Sequence, residues 1–372
     1  MKFALCSDNP VFNQNKLANP EWCRRFPGSG WVSCFYDAAS ENKFEVASGD
    51  IAIERVQSGE WQVDEIYVIS EMHAHDAKTL IALGAKPFLM SCFEAPLYAP
   101  LFYDELRDIS SSYLHQWVFA ENQARMRHAE SDSSIPLKFP SYYLGDIQGL
   151  RSWSERKWMV LVAENKYKIA EIFLPTVFNL KDFLRQCKYW AMQFTSKSYG
   201  SAIRKSLHTK RLEIIEYFMK GGRLDLYGSG WGNLGNLPKK WGARLSAMMG
   251  NQYFGRCENK LETLSQYRFS ICFENMELAG YMTEKIIDCF VAGVVPIYLG
   301  DPDIKSSIPK SAYIDPGEFS SLADLDKHLQ SIDENQAIAM IEVGRTYLRS
   351  QQGFLHSYEG FANNIIQLAR SW

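Results

Sequence analysis

The chain has 372 residues, too many for one comfortable hydrophobic core and enough for two α/β domains of ordinary size. Hydrophobic residues at 46% with charged residues at 22% exclude a disordered or fibrous chain. The formal net charge of −3 argues against a general nucleic-acid binder, which carries a clear basic excess.

The segment Met1 to Phe12 has one Lys and a very short apolar run before Ser7 and Asp8, so it predicts a buried first strand rather than a signal peptide or a membrane anchor. No stretch approaches the roughly 18 uninterrupted apolar residues of a spanning helix. The expectation is a soluble cytoplasmic protein, with peripheral association at the inner face of the membrane left open. Further short apolar runs predict strands at Glu65 to Ile69 and Lys86 to Met90. Between them Ala74 to Leu83 has helical spacing, with Leu80, Ile81 and Leu83 on one side. A polar, turn-rich stretch from Ser131 to Pro140 and a connector from Ser152 to Lys157 lead into a second unit. There Trp158 to Ala163 reads as a buried strand, Lys210 to Lys220 as a helix stopped by Gly221 and Gly222, and Arg223 to Tyr227 as a strand. Lys166 to Thr209 is helical in pattern and carries no motif. Tyr267 to Phe273 and Val294 to Leu299 predict two more strands around a helix from Thr283 to Ala292, and a helical tail runs from about Ser321 to Trp372 with a break near Gln351 to Gly353. Eight cysteines lie far apart without a C-x-x-C pair, which predicts reduced thiols and no zinc site.

Strands alternating with helices, twice over, predict two Rossmann-like α/β domains facing a cleft: 1–150, 151–350, and a terminal helix 351–372 that packs back on the first domain. Ligands of such sheets bind beyond the carboxyl ends of the strands.

The stretch Phe269 to Gly300 carries most of the chemistry. A strand runs into Phe273, Glu274 and Asn275, a loop follows, and Thr283 is placed to cap a helix whose first turn holds Glu284 and Lys285. A helix N-terminus suits a diphosphate. A Lys there opposes the helix dipole by about 0.3–1 kcal/mol unless an anion is present. A solvated Glu–Lys pair on an ordinary helix would have the same residue types.

Phe273-Glu274-Asn275, then Gly280-Tyr281-x-Thr283-Glu284-Lys285, then AGVVPIYLG from Ala292 to Gly300, closely resemble the signature block of the α-1,3/1,4-fucosyltransferases, glycosyltransferase family 10. The resemblance, to the soluble bacterial type, spans about thirty residues with several fixed offsets and is specific for that reason. It implies a GT-B fold, a second domain that binds GDP-fucose, and inverting transfer of L-fucose to a glycan or glycoconjugate hydroxyl. Asn275, Tyr281, Glu284 and Lys285 would be donor-site residues, Lys285 on the phosphates and Glu284 on a hydroxyl, the ribose being the first choice. Lys260 and the LYGSG turn with Gly228 resemble weaker parts of the same site. Arg211 resembles the family's phosphate-binding Arg, but some forty extra residues precede it, so Arg204 and Lys210 stay rivals. Glu94, in SCFEAP after a strand, resembles the family's proposed general base; Asp8 and Glu71 are the alternatives.

No metal or other cofactor is expected to be obligatory, Mg²⁺ or Mn²⁺ at most stimulating. Asp301-Pro-Asp303 has the D-x-D form of a metal site but reads as a turn. His73 and His75 lack a third ligand. Another GDP-sugar transferase, or a non-catalytic nucleotide-sugar or glycan binder on the same fold, are the alternatives, and nucleic acid is not expected as a partner.

Overall fold

A computed structural model of the chain describes residues 1–371 other than 27, 111, 120–133, 167–179, 233, 235, 236 and 238. It divides into two compact units. The first comprises Met1–Glu94, Leu101–Leu144 and Gln351–Trp372; the second comprises Ala95–Pro100 and Gly145–Ser350.

The first unit is built on a six-stranded sheet, ordered β2-β1-β3-β4-β5-β6, in which every pairing is parallel. Its strands are β1 (Lys2–Cys6), β2 (Glu45–Ser48), β3 (Ile66–Glu71), β4 (Lys86–Ser91), β5 (His115–Val118) and β6 (Ser134–Pro136). The apolar runs read from the sequence become β1, β3 and β4. The short, partly polar β2, β5 and β6 gave no such signal, and β6 falls inside the stretch read as turns. Phe3 on β1 is fully buried, with the rings of Phe35, Phe44, Tyr67 and Phe88 within 6 Å of its own. In the helix His75–Leu83 the buried positions are Ala77 and Leu80, whereas Leu83 is exposed and does not share the core face expected of it. The last helix, Tyr358–Arg370, belongs to this unit and packs on the helix Gly30–Glu41. Gly30 must be glycine for this contact, since a Cβ there would stand 2.5 Å from the Tyr358 ring.

The second unit has four parallel strands in the order β10-β9-β7-β8: β7 (Lys157–Val162), β8 (Asp225–Tyr227), β9 (Tyr267–Phe273) and β10 (Val295–Leu299). The central β9 is buried along nearly its whole length, Ser270 included, as in a parallel sheet covered on both faces, although its sequence alternates at Arg268 and Ser270. Because all four strands run the same way, their carboxyl ends share one edge. A helix that carries the chain back for the next strand begins on the carboxyl side and ends on the amino side. The helix His208–Lys220 stops at Gly221, and Glu284–Ala292 stops at Gly293 in the left-handed conformation, the usual αL cap.

Among the described residues no helix is long and apolar enough to cross a membrane, and all eight cysteines are free.

Candidate functional site

Three helices of the second unit each carry a cation in the first turn. Arg211 lies in the first turn of His208–Lys220, Lys260 opens Lys260–Ser265, and Lys285 is the second residue of Glu284–Ala292. The dipole of each helix disfavours a positive charge at that end. The three cations line one small cavity together with Ala163, Cys272 and Phe273. Of the three candidate phosphate ligands, Arg211 is buried and lines this cavity, whereas Arg204 and Lys210 are exposed.

The cations are held in place by carboxylates. Lys285 Nζ donates to Glu274 Oε2 at 2.8 Å and to Thr283 Oγ1 at 2.9 Å, and stands 3.7 Å from Glu284 Oε1. Glu274 is fully buried, and its carboxylate also accepts the Thr283 backbone N–H at 2.8 Å and the Thr283 hydroxyl. Thr283 therefore occupies the cap position expected of it, but its hydroxyl turns to Glu274 and Lys285 and makes no capping bond to a backbone N–H of its helix. Lys260 Nζ lies 2.6 Å from Asp288 Oδ2 and 3.6 Å from Glu284 Oε1.

Charge and burial compete in this network. Burial works to lower the pKa of Lys285, but the carboxylates of Glu274 and Glu284 outweigh it and raise the ammonium above its ordinary value. Burial opposes ionisation of Glu284, yet Lys285 and Lys260 pull its carboxyl down to about 2. At Asp288 burial prevails, and the carboxyl is raised to about 6 despite Lys260. Neither Glu274 nor Asp288 was singled out as a site residue by the sequence. Asp288 follows Glu284 by four residues, one helical turn, and that spacing was the signal available.

Arg211 is anchored by a different kind of contact. Its Nη2 donates to the carbonyls of Phe273 at 2.7 Å and Glu274 at 3.0 Å and to Asn275 Oδ1 at 3.3 Å, which clamps the carboxyl end of β9. Its Nη1 stands 3.5 Å from His208 Nδ1. The His208 pKa is driven well below its ordinary value by burial and then by the Arg211 charge, so the ring is neutral. His208 Nε2 lies 2.8 Å from the Tyr98 hydroxyl, which is carried by the segment Ala95–Pro100 of this same unit. That segment follows Glu94 directly in the chain.

Gly228 opens the turn after β8 with φ +133°, and a Cβ there would lie 1.9 Å from the Ala163 carbonyl oxygen. Its smallness serves the packing of that turn against the end of β7. Tyr281 is buried in the loop before Thr283, where its carbonyl accepts the Tyr298 hydroxyl at 3.5 Å. The Asp301 carboxylate accepts the backbone N–H groups of Gly280 and Asp303, both at 2.9 Å, so the D-P-D segment is a turn that ties down this loop.

In the first unit Glu94 is exposed three residues beyond β4, and its backbone carbonyl accepts the Tyr103 hydroxyl at 2.6 Å. Glu71, at the end of β3, accepts the Ser7 hydroxyl at 2.6 Å, and burial raises its carboxyl pKa. Asp8 Oδ1 accepts the His75 N–H at 2.8 Å. His73 faces Tyr113 instead, so the two histidines do not converge, and no group of three potential metal ligands occurs among the described residues.

Residues 200–340 match the family model described as "Glycosyltransferase family 10 (fucosyltransferase) C-term". The "Alpha-(1,3)-fucosyltransferase FucT" of Helicobacter pylori is 28% identical over 105 residues, 28% of this chain and 22% of that protein. The mouse "4-galactosyl-N-acetylglucosaminide 3-alpha-L-fucosyltransferase 9" is 34% identical over 83 residues, 22% of this chain and 23% of that protein. The matched segment thus spans less than a quarter of the length of either relative. A crystal structure of an α1,3-fucosyltransferase superposes over 100% of this chain and 89% of its own, with 15% identity and a TM-score of 0.51. That likeness extends over both units and gives the fold class, GT-B.

Proposed function

We propose, from the match of residues 200–340 to the family 10 model, that the chain is a glycosyltransferase of that family and transfers L-fucose from GDP-fucose to a hydroxyl of a glycan acceptor, with inversion at the anomeric carbon. The observation that carries this reading is the convergence of Arg211, Lys260 and Lys285, each in the first turn of a helix, on one cavity at the carboxyl edge of the sheet. The enclosed space there, about 10 Å³, is water-sized, so the proposed diphosphate would bind across its mouth rather than inside it. Arg211, whose Nη2 is already given to the end of β9, offers its remaining N–H groups and its charge, and Lys285 a point charge. Glu284, ionised at neutral pH, accepts a hydroxyl of the donor.

In the proposed reaction the acceptor oxygen bonds to the anomeric carbon as the bond from that carbon to the β-phosphate oxygen breaks. Glu94 takes the acceptor proton. GDP leaves with the bonding electrons, and Lys285 and Arg211 stabilise the charge that develops on it. These cations supply countercharge that another transferase would draw from a metal. The direct test is thermal unfolding in EDTA with GDP, GDP-fucose or UDP, followed by turnover with a panel of N-acetyllactosamine, lipid-linked and O-antigen-like acceptors. GDP and GDP-fucose are expected to raise the melting temperature, and UDP much less. Equal protection by UDP, or no protection by any of the three, would sink the reading.

A further inference from the structure

We propose that the helix Leu180–Thr195 lays the protein on an anionic lipid surface. Nine large apolar side chains are exposed among the described residues. This helix carries three of them, including the two most exposed: Phe194 at 76% and Leu184 at 58%, with Trp190 at 42%. Trp190 and Phe194 are one turn apart, their ring centroids 5.5 Å from each other. Leu184, Ala191 and Phe194 fall on one stripe at helical spacing, and Ala191 is exposed as well. The helix is also fastened to its own unit: Met192 is buried, and the Tyr189 ring meets Tyr199 at 5.7 Å. Its outward stripe is therefore apolar while its anchored side is already occupied, the reverse of an ordinary surface helix.

Charge identifies the occupant. The sequence from 180 to 210 holds seven Lys and Arg against one Asp, in a chain whose formal net charge is −3. Lys188, on the helix itself, and Lys197, Arg204, Lys205 and Lys210, which follow it, are exposed. An apolar stripe with Trp, Phe and Leu beside a basic segment matches a helix lying in the plane of a bilayer interface. Trp settles at headgroup level, and Lys stems reach back toward the phosphates. A nucleic acid would use the charge and could stack on Trp190 and Phe194, but it would leave Leu184, the second most exposed of these side chains, without a contact. The helix is too short and too polar to span, which leaves an interfacial pose.

The test is co-sedimentation with vesicles of phosphatidylcholine alone or mixed with phosphatidylglycerol, at low and high salt. The full chain is expected to partition onto the mixed vesicles at least tenfold better than onto the neutral ones, and to be largely released by about 0.5 M salt, where screening is nearly complete. Trp190→Ser with Phe194→Ser should cut partitioning at least tenfold, and Lys188→Glu with Lys197→Glu should weaken it severalfold. Both variants should melt within a few degrees of wild type, because all four side chains are exposed. Equal binding to neutral vesicles, or unchanged binding of the Ser variant, overturns the proposal. So does a wild-type dimer that the Ser variant converts to monomer without any vesicle binding, and so does preferential capture of single-stranded DNA over vesicles.

Discussion

Replacing Lys285 by methionine removes the ammonium that faces Glu274 at 2.8 Å while keeping most of the side-chain volume. The carboxylate left behind is fully buried, with only the Thr283 N–H and hydroxyl still donating to it. Breaking one side of a buried ion pair costs about 3–5 kcal/mol, since the surviving charge is neither paired nor solvated. For a unit of this size each kcal/mol lowers the melting temperature by about 2–4 °C, so Lys285→Met should melt roughly 6–20 °C below wild type. Glu274→Gln in the same chain removes the stranded charge. A glutamine still accepts from the Thr283 N–H, and the double variant should recover to within about 1–2 kcal/mol of wild type, as neutral replacements of buried pairs commonly do. Differential scanning fluorimetry of the four proteins closes the cycle. The recovered double variant is then the proper protein for measuring donor affinity by titration calorimetry. It should bind GDP-fucose one to two orders of magnitude more weakly, the loss of a charge-assisted contact of about 1.5–3 kcal/mol. A Lys285→Met protein that melts within 2 °C of wild type would refute the pairing. An unchanged GDP-fucose affinity in the double variant would remove Lys285 from the donor site.

Gly228→Ala should be destabilised by more than the about 1–3 kcal/mol of its backbone strain, because its Cβ would also overlap the Ala163 carbonyl; a melting temperature within 2 °C of wild type would contradict that packing. Glu94→Gln keeps size and hydrogen bonding, so it should bind GDP-fucose as wild type does while kcat falls about 10²–10⁴-fold; near wild-type turnover at saturating substrates would transfer attention to Glu71 and Asp8. Asp288, raised to about 6, holds its proton more tightly than the unfolded chain does, so it favours folding at low pH and that contribution is lost as pH rises through 6. A diphosphate entering the cavity adds negative charge near Asp288 and raises it further, so GDP binding should take up a proton. Affinity should then weaken as pH rises through about 6–7, by up to tenfold for each unit of the shift. Calorimetry in buffers of different ionisation enthalpy reads the uptake directly, and Asp288→Asn should abolish it.

Seven strands were legible: β1, β3, β4, β7 and β10 as short apolar runs bounded by turn residues, β9 by its alternation, and β8 within Arg223 to Tyr227. β2 and β5, four residues each, carry Glu45 or His115 and Gln116 in place of such a run, and only tertiary pairing makes them strands. No local pattern announces that Ala95–Pro100 clusters with the second unit, since that depends on where Tyr98 finds His208. Within the site, the resemblance drew attention to Lys285 and Glu284. It left Arg211 among rivals, although Arg211, Ile214, Ile215 and Phe218 form one buried face that Lys210 does not share. Glu274 was legible only as a letter in a motif. Its function as the partner of Lys285 depends on β9 ending beside the helix that Thr283 begins, a juxtaposition set by the sheet order and not by spacing along the chain.

That juxtaposition explains why cations can stand at three helix N-termini without an anion. Glu274 faces Lys285, Asp288 faces Lys260, and Glu284 lies between the two lysines at 3.7 and 3.6 Å. The carboxylates do for the lysines what a diphosphate would do, and Arg211 is held separately by the carbonyls that end β9. A cavity arranged in this way is electrostatically preorganised: its positive groups are already desolvated and oriented, so a ligand need not immobilise them on arrival. The same arrangement sets a threshold. An incoming anion must compete with carboxylates that are covalently part of the fold, and under the proposed function a diphosphate does so by reaching Arg211 and Lys285 together. Under the proposed function any preference for a diphosphate over a monophosphate therefore rests on reach and not on charge, since a phosphate monoester and the diphosphate of a nucleotide sugar both carry about two negative charges at neutral pH.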